Sequence, residues 1–310
     1  MTIGLLFPGQ GSQKVGMGRE VYEQSPAARA IFAEANTVLG FDLAGLCFDG
    51  PEADLTATEN TQPALLTVSV ALLAAIAEAG VELHPSIVAG HSLGEYSALV
   101  AAKALDFATA LRLVRQRGEL MAQASEGAMA AVIGLDLAPL EAVCANVSEF
   151  GACVVANQNA HGQLVISGAS AAVAAASEQA KAAGAKKIMP LNVSAAFHSP
   201  LMAATAAGLA PALEAAAMSA AQVPLIANST AQPIQSAEDL RAELIAQITA
   251  PVRWIATIEQ AAAMGVQTVV EIGAGSVLTG LVKRIDPNLQ RLNIANFDDI
   301  AKIAEYNNAQ

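Results

Sequence analysis

The chain has 310 residues and a formal charge of −12, from 16 Lys and Arg against 28 Asp and Glu. At roughly 150 residues per domain this length predicts one large domain or two smaller ones, with core enough to dispense with disulfide staples. Apolar residues make up 54% and charged residues 14%, which excludes intrinsic disorder, and the acidic balance argues against broad binding to nucleic acid or anionic membranes.

In chain order, residues 2–7 read as a strand that ends in the turn-rich segment 8–13. The opening MTIGLLFPGQGSQ has no basic region and no long apolar run, so no signal peptide is expected. Ser25-Pro26 reads as a helix N-cap followed by proline at the first helical position. Residues 62–78 are apolar enough for a buried helix, 86–90 form a short strand, and 92–103 a helix directly after it. Asp106 is placed to cap a helix running to about Ala124. The middle reads as strand 128–135, helix 137–147, strands 153–157 and 163–167, helix 169–183 and strand 186–190, a split βαβ, ferredoxin-like order. Residues 267–272 read as a strand, followed by Gly273-Ala274-Gly275 and a helical stretch to Arg284. The expected fold is therefore α/β: a hydrolase-like parallel-sheet large domain, residues 1–125 and 195–310, with a ferredoxin-like small domain, 126–194, inserted in it.

Positive mean hydropathy comes from alanine rather than from a membrane span. The uncharged stretches 150–177 and 215–237 are broken by Asn157, Gln158, Asn159, His161, Gln163, Pro224, Asn228 and Pro233, short of the roughly 18 consecutive apolar residues a span needs. Cys47, Cys144 and Cys153 form no CxxC pair and are odd in number, which suits a reducing cytoplasm and reads as small buried apolar residues.

The strongest local signal is Gly90-His91-Ser92-Leu93-Gly94, a G-x-S-x-G sequence between a predicted strand and a predicted helix, the context of a nucleophile elbow. Flanking glycines allow close backbone approach, Ser92 is presented at the strand's carboxyl end, and the Leu93 N–H at the helix start is placed to stabilise an oxyanion. A serine hydroxyl needs a base. Of four histidines, His84 precedes Pro85 in a surface loop, His91 points away from the Ser92 side chain, and His161 lies in a turn of the insert. His198 stands where the chain returns to the large domain, at the inter-domain cleft that ligands favour. A packing histidine is the equal alternative there. Arg112 and Arg115 share one helix face and read as solvated. Arg117, five residues from Arg112 at roughly 100° each, faces the apolar side, where an inward guanidinium suits bidentate carboxylate recognition. The glycine loops are not nucleotide motifs. The third dinucleotide position is Lys14 in one and Leu278 in the other, and no Walker lysine follows. The first is better read as a turn that brings backbone N–H groups to the cleft.

Together these residues resemble the malonyl-CoA:acyl-carrier-protein transacylases and the related acyltransferase domains of polyketide synthases. The resemblance covers almost the whole chain, through FPGQGSQ (7–13), TQPALLT (61–67), GHSLGEYSALV (90–100), RQRGELM (115–121), GAMAAVIGL (127–135), AFHSP (196–200), PVRW (251–254) and EIGAGSVLTGL (271–281). It implies Ser92 as nucleophile and His198 as base, Gln10 and Leu93 as backbone oxyanion donors, Arg117 as the malonyl-carboxylate ligand and the Gln247 carbonyl as the group that orients the histidine, so that no acidic triad member is needed. Asn157 and Asn159 match cleft asparagines without an assigned role, and Ala195 stands where the full malonyl-type signature has histidine.

The resemblance further implies a ping-pong transfer of malonyl from malonyl-CoA to the phosphopantetheine thiol of acyl carrier protein, with no metal, no other cofactor and no nucleic-acid or membrane partner, in the cytoplasm. An acidic carrier protein calls for a local basic patch, for which Lys186/Lys187 and Lys283/Arg284 are candidates. The rivals are a serine hydrolase or thioesterase, against which count the chain order and the absence of an HGGG-type motif, a polyketide acyltransferase of different acyl specificity, and a non-catalytic scaffold.

Overall fold

The computed structural model describes residues 2–124, 126–193 and 195–308. Among the described residues ten strands run in chain order: β1 (Ile3–Phe7), β2 (Pro85–Gly90), β3 (Ala128–Ile133), β4 (Cys153–Ala160), β5 (Gln163–Gly168), β6 (Lys187–Pro190), β7 (Leu225–Ile226), β8 (Pro233–Ile234), β9 (Thr268–Ile272) and β10 (Gln290–Ile294). The large sheet has the order β10-β9-β1-β2-β7-β8. It is parallel as far as β7, and β8 folds back antiparallel at the edge. β1 and β9 are buried at every position, so β1 reads as an apolar run without alternation, and the polar Thr268 and Glu271 of β9 are buried with hydrogen-bond partners.

The small sheet, order β4-β5-β3-β6, is antiparallel throughout. The helices Leu137–Asn146 and Ser170–Ala182 follow β3 and β5 and pack with the sheet around Val132, Leu140, Leu164 and Ile166. This is the split βαβ arrangement that the sequence pattern suggests. The expected junctions at 125/126 and 194/195 fall on Ser125 and Ser194, which lie outside the described residues. Cys144 and Cys153 sit in this layer with sulfurs 3.6 Å apart, whereas Cys47 is buried in the main core.

Local signals set the helix starts. Ser25 accepts from the Ala28 N–H with Pro26 behind it, and Asp106 accepts from Thr109 at the head of the helix Phe107–Gln123. The elbow helix is shorter than expected, Gly94–Ala101. The buried helix starts earlier than expected, spanning Thr58–Glu78 with Pro63 inside it. Proline has no N–H to give to the Glu59 carbonyl, and Arg115 supplies that carbonyl with a donor at 3.1 Å. This helix is long and apolar enough to cross a membrane, yet 78% of its most apolar window is buried within the protein. Strands β7, β8 and β10 and the helices Ala203–Ala215, Ala237–Ala246 and Trp254–Ala263 fill out stretches with no clear periodicity.

Candidate active site

The site begins at the carboxyl end of β2. A Cβ on Gly90 would lie 1.9 Å from the Gly94 carbonyl carbon, and one on Gly94 would lie 2.1 Å from the Phe7 carbonyl oxygen, so only glycine lets β1, β2 and the next helix converge. Ser92 stands between them at φ 53°, a left-handed conformation strained for any residue with a side chain. Asn228 holds that turn, accepting from the Ser92 N–H at 2.7 Å and donating to the Gly90 carbonyl at 2.7 Å.

His198 adopts a similar left-handed backbone, φ 57°, just after the small sheet. Its Nε2 lies 2.7 Å from Ser92 Oγ. Its Nδ1 lies 2.9 Å from the Gln247 carbonyl and 3.1 Å from that of Ala250. Carbonyls only accept, so Nδ1 carries the proton and Nε2 turns a lone pair toward the serine hydroxyl. Burial, and secondly the nearby Arg117 charge, push the imidazole down to about 3, so it is neutral at physiological pH.

Arg117 is 1% exposed, in contrast to the solvated Arg112 on the same helix. Gly118 lets this helix approach Thr58–Glu78, since a Cβ there would come within 2.6 Å of the Glu59 Cα. The guanidinium donates from Nη1 to Gln62 Oε1 at 2.8 Å, and from Nη2 to Ser92 Oγ at 3.0 Å and Gln247 Oε1 at 2.9 Å. Its Nε is buried with no partner among the described residues. A buried, unpaired guanidinium donor beside the Ser92 hydroxyl suits an anion.

The backbone donors lie on two converging turns. Ser92 N is taken by Asn228, which leaves the Leu93 N–H at the helix head without a partner among the described residues. The 8–13 loop presses on the elbow so closely that a Cβ at Gly9 would stand 2.3 Å from the His91 carbonyl. Gln10 ties this loop to Thr58 through its side chain at 3.2 Å, and its own N–H is likewise unengaged. A paired serine and neutral imidazole, two free amides and a buried guanidinium on one oxygen suit acyl transfer to or from a group bearing a carboxylate.

Residues 5–295 match the acyl transferase domain family. The malonyl CoA-acyl carrier protein transacylase of Bacillus subtilis is 47% identical over 96% of this chain and 95% of its own length. The solved acyl-carrier-protein-S-malonyltransferase of Bartonella henselae superposes with a TM-score of 0.96 at 43% identity, over 99% of each chain. A malonyl-transacylase solved in complex with its type II PKS acyl-carrier protein superposes at 0.95, with 42% identity, over 99% of this chain and all of that one. The chain belongs to the acyl transferase family, among the malonyl CoA-acyl carrier protein transacylases.

This transacylase brings Ser92, His198, Arg117, Gln247, Gln10 and Leu93 to one place. Three further residues carry the arrangement and went unread in the sequence: Gln62 on Arg117, Asn228 on the elbow, and the buried Glu95, which accepts from the Gln247 side chain at 2.5 Å. Gln62 and Glu95 lie inside conspicuous blocks, TQPALLT and GHSLGEY, but their partners are more than 50 residues distant in the chain. Other candidates stay outside the transacylase site. His84 pairs with Glu82 at the surface, and His161 is half-exposed. His91 turns its Nε2 to Asn159 at 2.8 Å and packs on Trp254, so it ties the elbow to β4. Asn157 bridges β4 to Val252 through main chain. Gly273 lies against Pro8, and Glu271 caps the following helix at the Leu278 and Thr279 N–H groups, occupying with its own carboxylate the place a phosphate would take. Lys186, Lys187, Lys283 and Arg284 are exposed.

Proposed function

We propose that this transacylase moves malonyl from malonyl-CoA to the phosphopantetheine thiol of acyl carrier protein through an ester on Ser92, acting as an [acyl-carrier-protein] S-malonyltransferase. One observation carries the reading: Ser92 Oγ is bracketed by His198 Nε2 at 2.7 Å and Arg117 Nη2 at 3.0 Å. One neighbour accepts a proton from that oxygen, and the other is ready for a carboxylate.

In the first half-reaction His198 takes the hydroxyl proton as Oγ attacks the thioester carbonyl. The Leu93 and Gln10 amides hold the oxyanion, where loss of one donor costs roughly 3–4 kcal/mol. The C–S bond breaks, and coenzyme A leaves with the proton from His198. In the second half, the pantetheine thiol gives its proton to His198 and attacks the ester carbonyl. The Ser92 oxygen leaves and recovers the proton, and the malonyl thioester departs on the carrier protein. The chemistry needs only serine and imidazole, without a cofactor. Nε and Nη2 form one edge of the Arg117 guanidinium. A malonyl carboxylate on that edge satisfies the orphan donor, whereas an acetyl group leaves it unpaired. The bound carboxylate also offsets the charge that depresses His198, so the base strengthens when the correct substrate is in place.

Acyl carrier protein as partner is supported by the solved carrier-protein complex and by the names of the relatives above. Supply of malonyl units to fatty acid or polyketide chain extension, a cytoplasmic location, and a division into 1–125 with 195–310 against 126–194 belong to the same reading. Malonyl-CoA alone is expected to leave a malonyl adduct on the Ser92 peptide by mass spectrometry. Holo carrier protein should then remove it faster than water does, and Ser92→Ala should show none. An adduct that survives Ser92→Ala moves the nucleophile elsewhere, and release faster to water than to thiol makes the enzyme a hydrolase.

A further inference from the structure

Beneath the elbow lie two carboxyl groups that the acyl-transfer chemistry leaves unused. Glu95, in the first turn of Gly94–Ala101, is fully buried, and Glu243, on Ala237–Ala246, is 5% exposed. Neither forms an ion pair among the described residues. Glu95 Oε1 accepts from the Asn228 N–H at 2.7 Å, and Oε2 accepts from Gln247 Nε2 at 2.5 Å. Glu243 accepts from the Ser229 N–H at 2.9 Å and from its hydroxyl, so the two carboxyls sit on the successive amides of Asn228 and Ser229. The buried cation nearby is Arg117, which reaches Glu95 through the Gln247 side chain and favours its anion. One such charge offsets one carboxylate, and a second buried anion beside it is far costlier than a pair sharing a proton. Burial, and then Glu243, raise Glu95 well above the ordinary carboxylate range.

The two groups that Glu95 holds are the ones that hold the site. The Gln247 side chain offers its oxygen to Arg117 Nη2 and its nitrogen both to Glu95 and, at 3.0 Å, to the Ser92 carbonyl, while its main-chain carbonyl accepts from His198 Nδ1. A side-chain amide has nearly the same shape when flipped, so a donor on one side and an acceptor on the other are needed to fix its direction. Asn228 in turn holds Ser92 N and the Gly90 carbonyl.

We propose that Glu95 is a positioning residue for acyl transfer: sharing one proton with Glu243, it fixes Gln247 and Asn228, and through them the base, the arginine and the strained elbow. This rests on the malonyl-transfer reading above. Glu95→Gln keeps the volume but turns one of the two acceptors into a donor that faces another donor. Glu243→Gln leaves both acceptors of Glu95 in place.

The test follows Ser92 acylation in the full chain by rapid-quench mass spectrometry with malonyl-CoA and with acetyl-CoA. Glu95→Gln is expected to slow malonyl loading about tenfold or more, and acetyl loading less, because only malonyl uses the Arg117 orientation that Gln247 sets. Glu243→Gln should stay within about threefold of wild type. The infrared spectrum of the substrate-free enzyme at neutral pH should contain a protonated carboxylic-acid carbonyl band that Glu95→Gln removes and Glu243→Gln alters. Wild-type loading and malonyl-to-acetyl ratio in Glu95→Gln overturn the proposal, as do equal losses in the two variants that track their melting temperatures. If Glu95→Gln does not fold, an infrared band unaltered by Glu243→Gln overturns it instead. A wild type that loads no malonyl defeats the malonyl-transfer reading, while the infrared arm still decides the carboxyl pair.

Discussion

The carboxyl edge of the large sheet and the body of the small sheet follow opposite rules. At the large sheet's edge, Ser92 and His198 sit at positive φ, and Glu95, Arg117, His198 and Glu243 are buried. In the small sheet the buried polar residues among those described are Asn157, Gln158 and Ser167, none of them ionisable, and its core is aliphatic. The difference teaches where this molecule concentrates strain and polar burial: where parallel strands end and helices begin, free amides already exist and a reacting group can be presented to them. The small sheet needs only conventional packing, and it serves the site through its rim. There β4 bonds main chain to Val252 and offers Asn159 to His91.

The comparison can be broken most forcefully at Arg117. Arg117→Ala should cut malonyl loading of Ser92 by about 100-fold or more, and acetyl loading much less, since each lost bond to a buried charge is worth roughly 1.5–3 kcal/mol. Equal losses with the two thioesters would count against carboxylate binding. A smaller effect is a displaced pH profile. In the proposed reaction His198 acts as the neutral imidazole, and burial and Arg117 hold it down at about 3, so the acid limb of loading should lie well below the ordinary histidine value of roughly 6.5. Removing the Arg117 charge raises the imidazole, so in Arg117→Ala the acid limb of acetyl loading should move to higher pH. A wild-type limb at the ordinary histidine value would contradict the burial argument. Leu140→Ala, in the small core, should affect the chemistry least. It is expected to cost about 2–5 kcal/mol in denaturant unfolding while leaving the malonyl-to-acetyl ratio unchanged. A changed ratio would show that the small sheet's interior shapes the site after all.

Much of the elbow was legible because its physics is local. A strand, two spaced glycines, a serine and a helix start form one continuous segment, and both Ser25-Pro26 and Asp106 announce their helices within four residues. The alternating pattern of 128–190 likewise gave the strand and helix order of the small sheet. Residues 203–263 were harder, because alanine-rich helices carry little amphipathic contrast and β7 and β8 are two residues each. Within the site, Arg117 could be turned inward by helical phase, but its partners Gln62 and Gln247 could not be found that way. They reach it from distant helices, with Gly118 setting one approach.

By itself the sequence determined which residue types stand at the turn after β2, which helix face carries a lone inward arginine, and the order of strands and helices through the insert. All three depend on neighbours a few residues apart. Only the tertiary structure decided that His198 meets Ser92 through a proton fixed by carbonyls, and that Asn228 takes the serine amide while the Leu93 amide has no partner among the described residues. It alone put Glu95 and Glu243 on successive amides, with Arg117 reaching Glu95 through Gln247. Those outcomes depend on desolvation and on hydrogen bonds closed between segments 49 to 152 residues apart, where composition and periodicity carry no information.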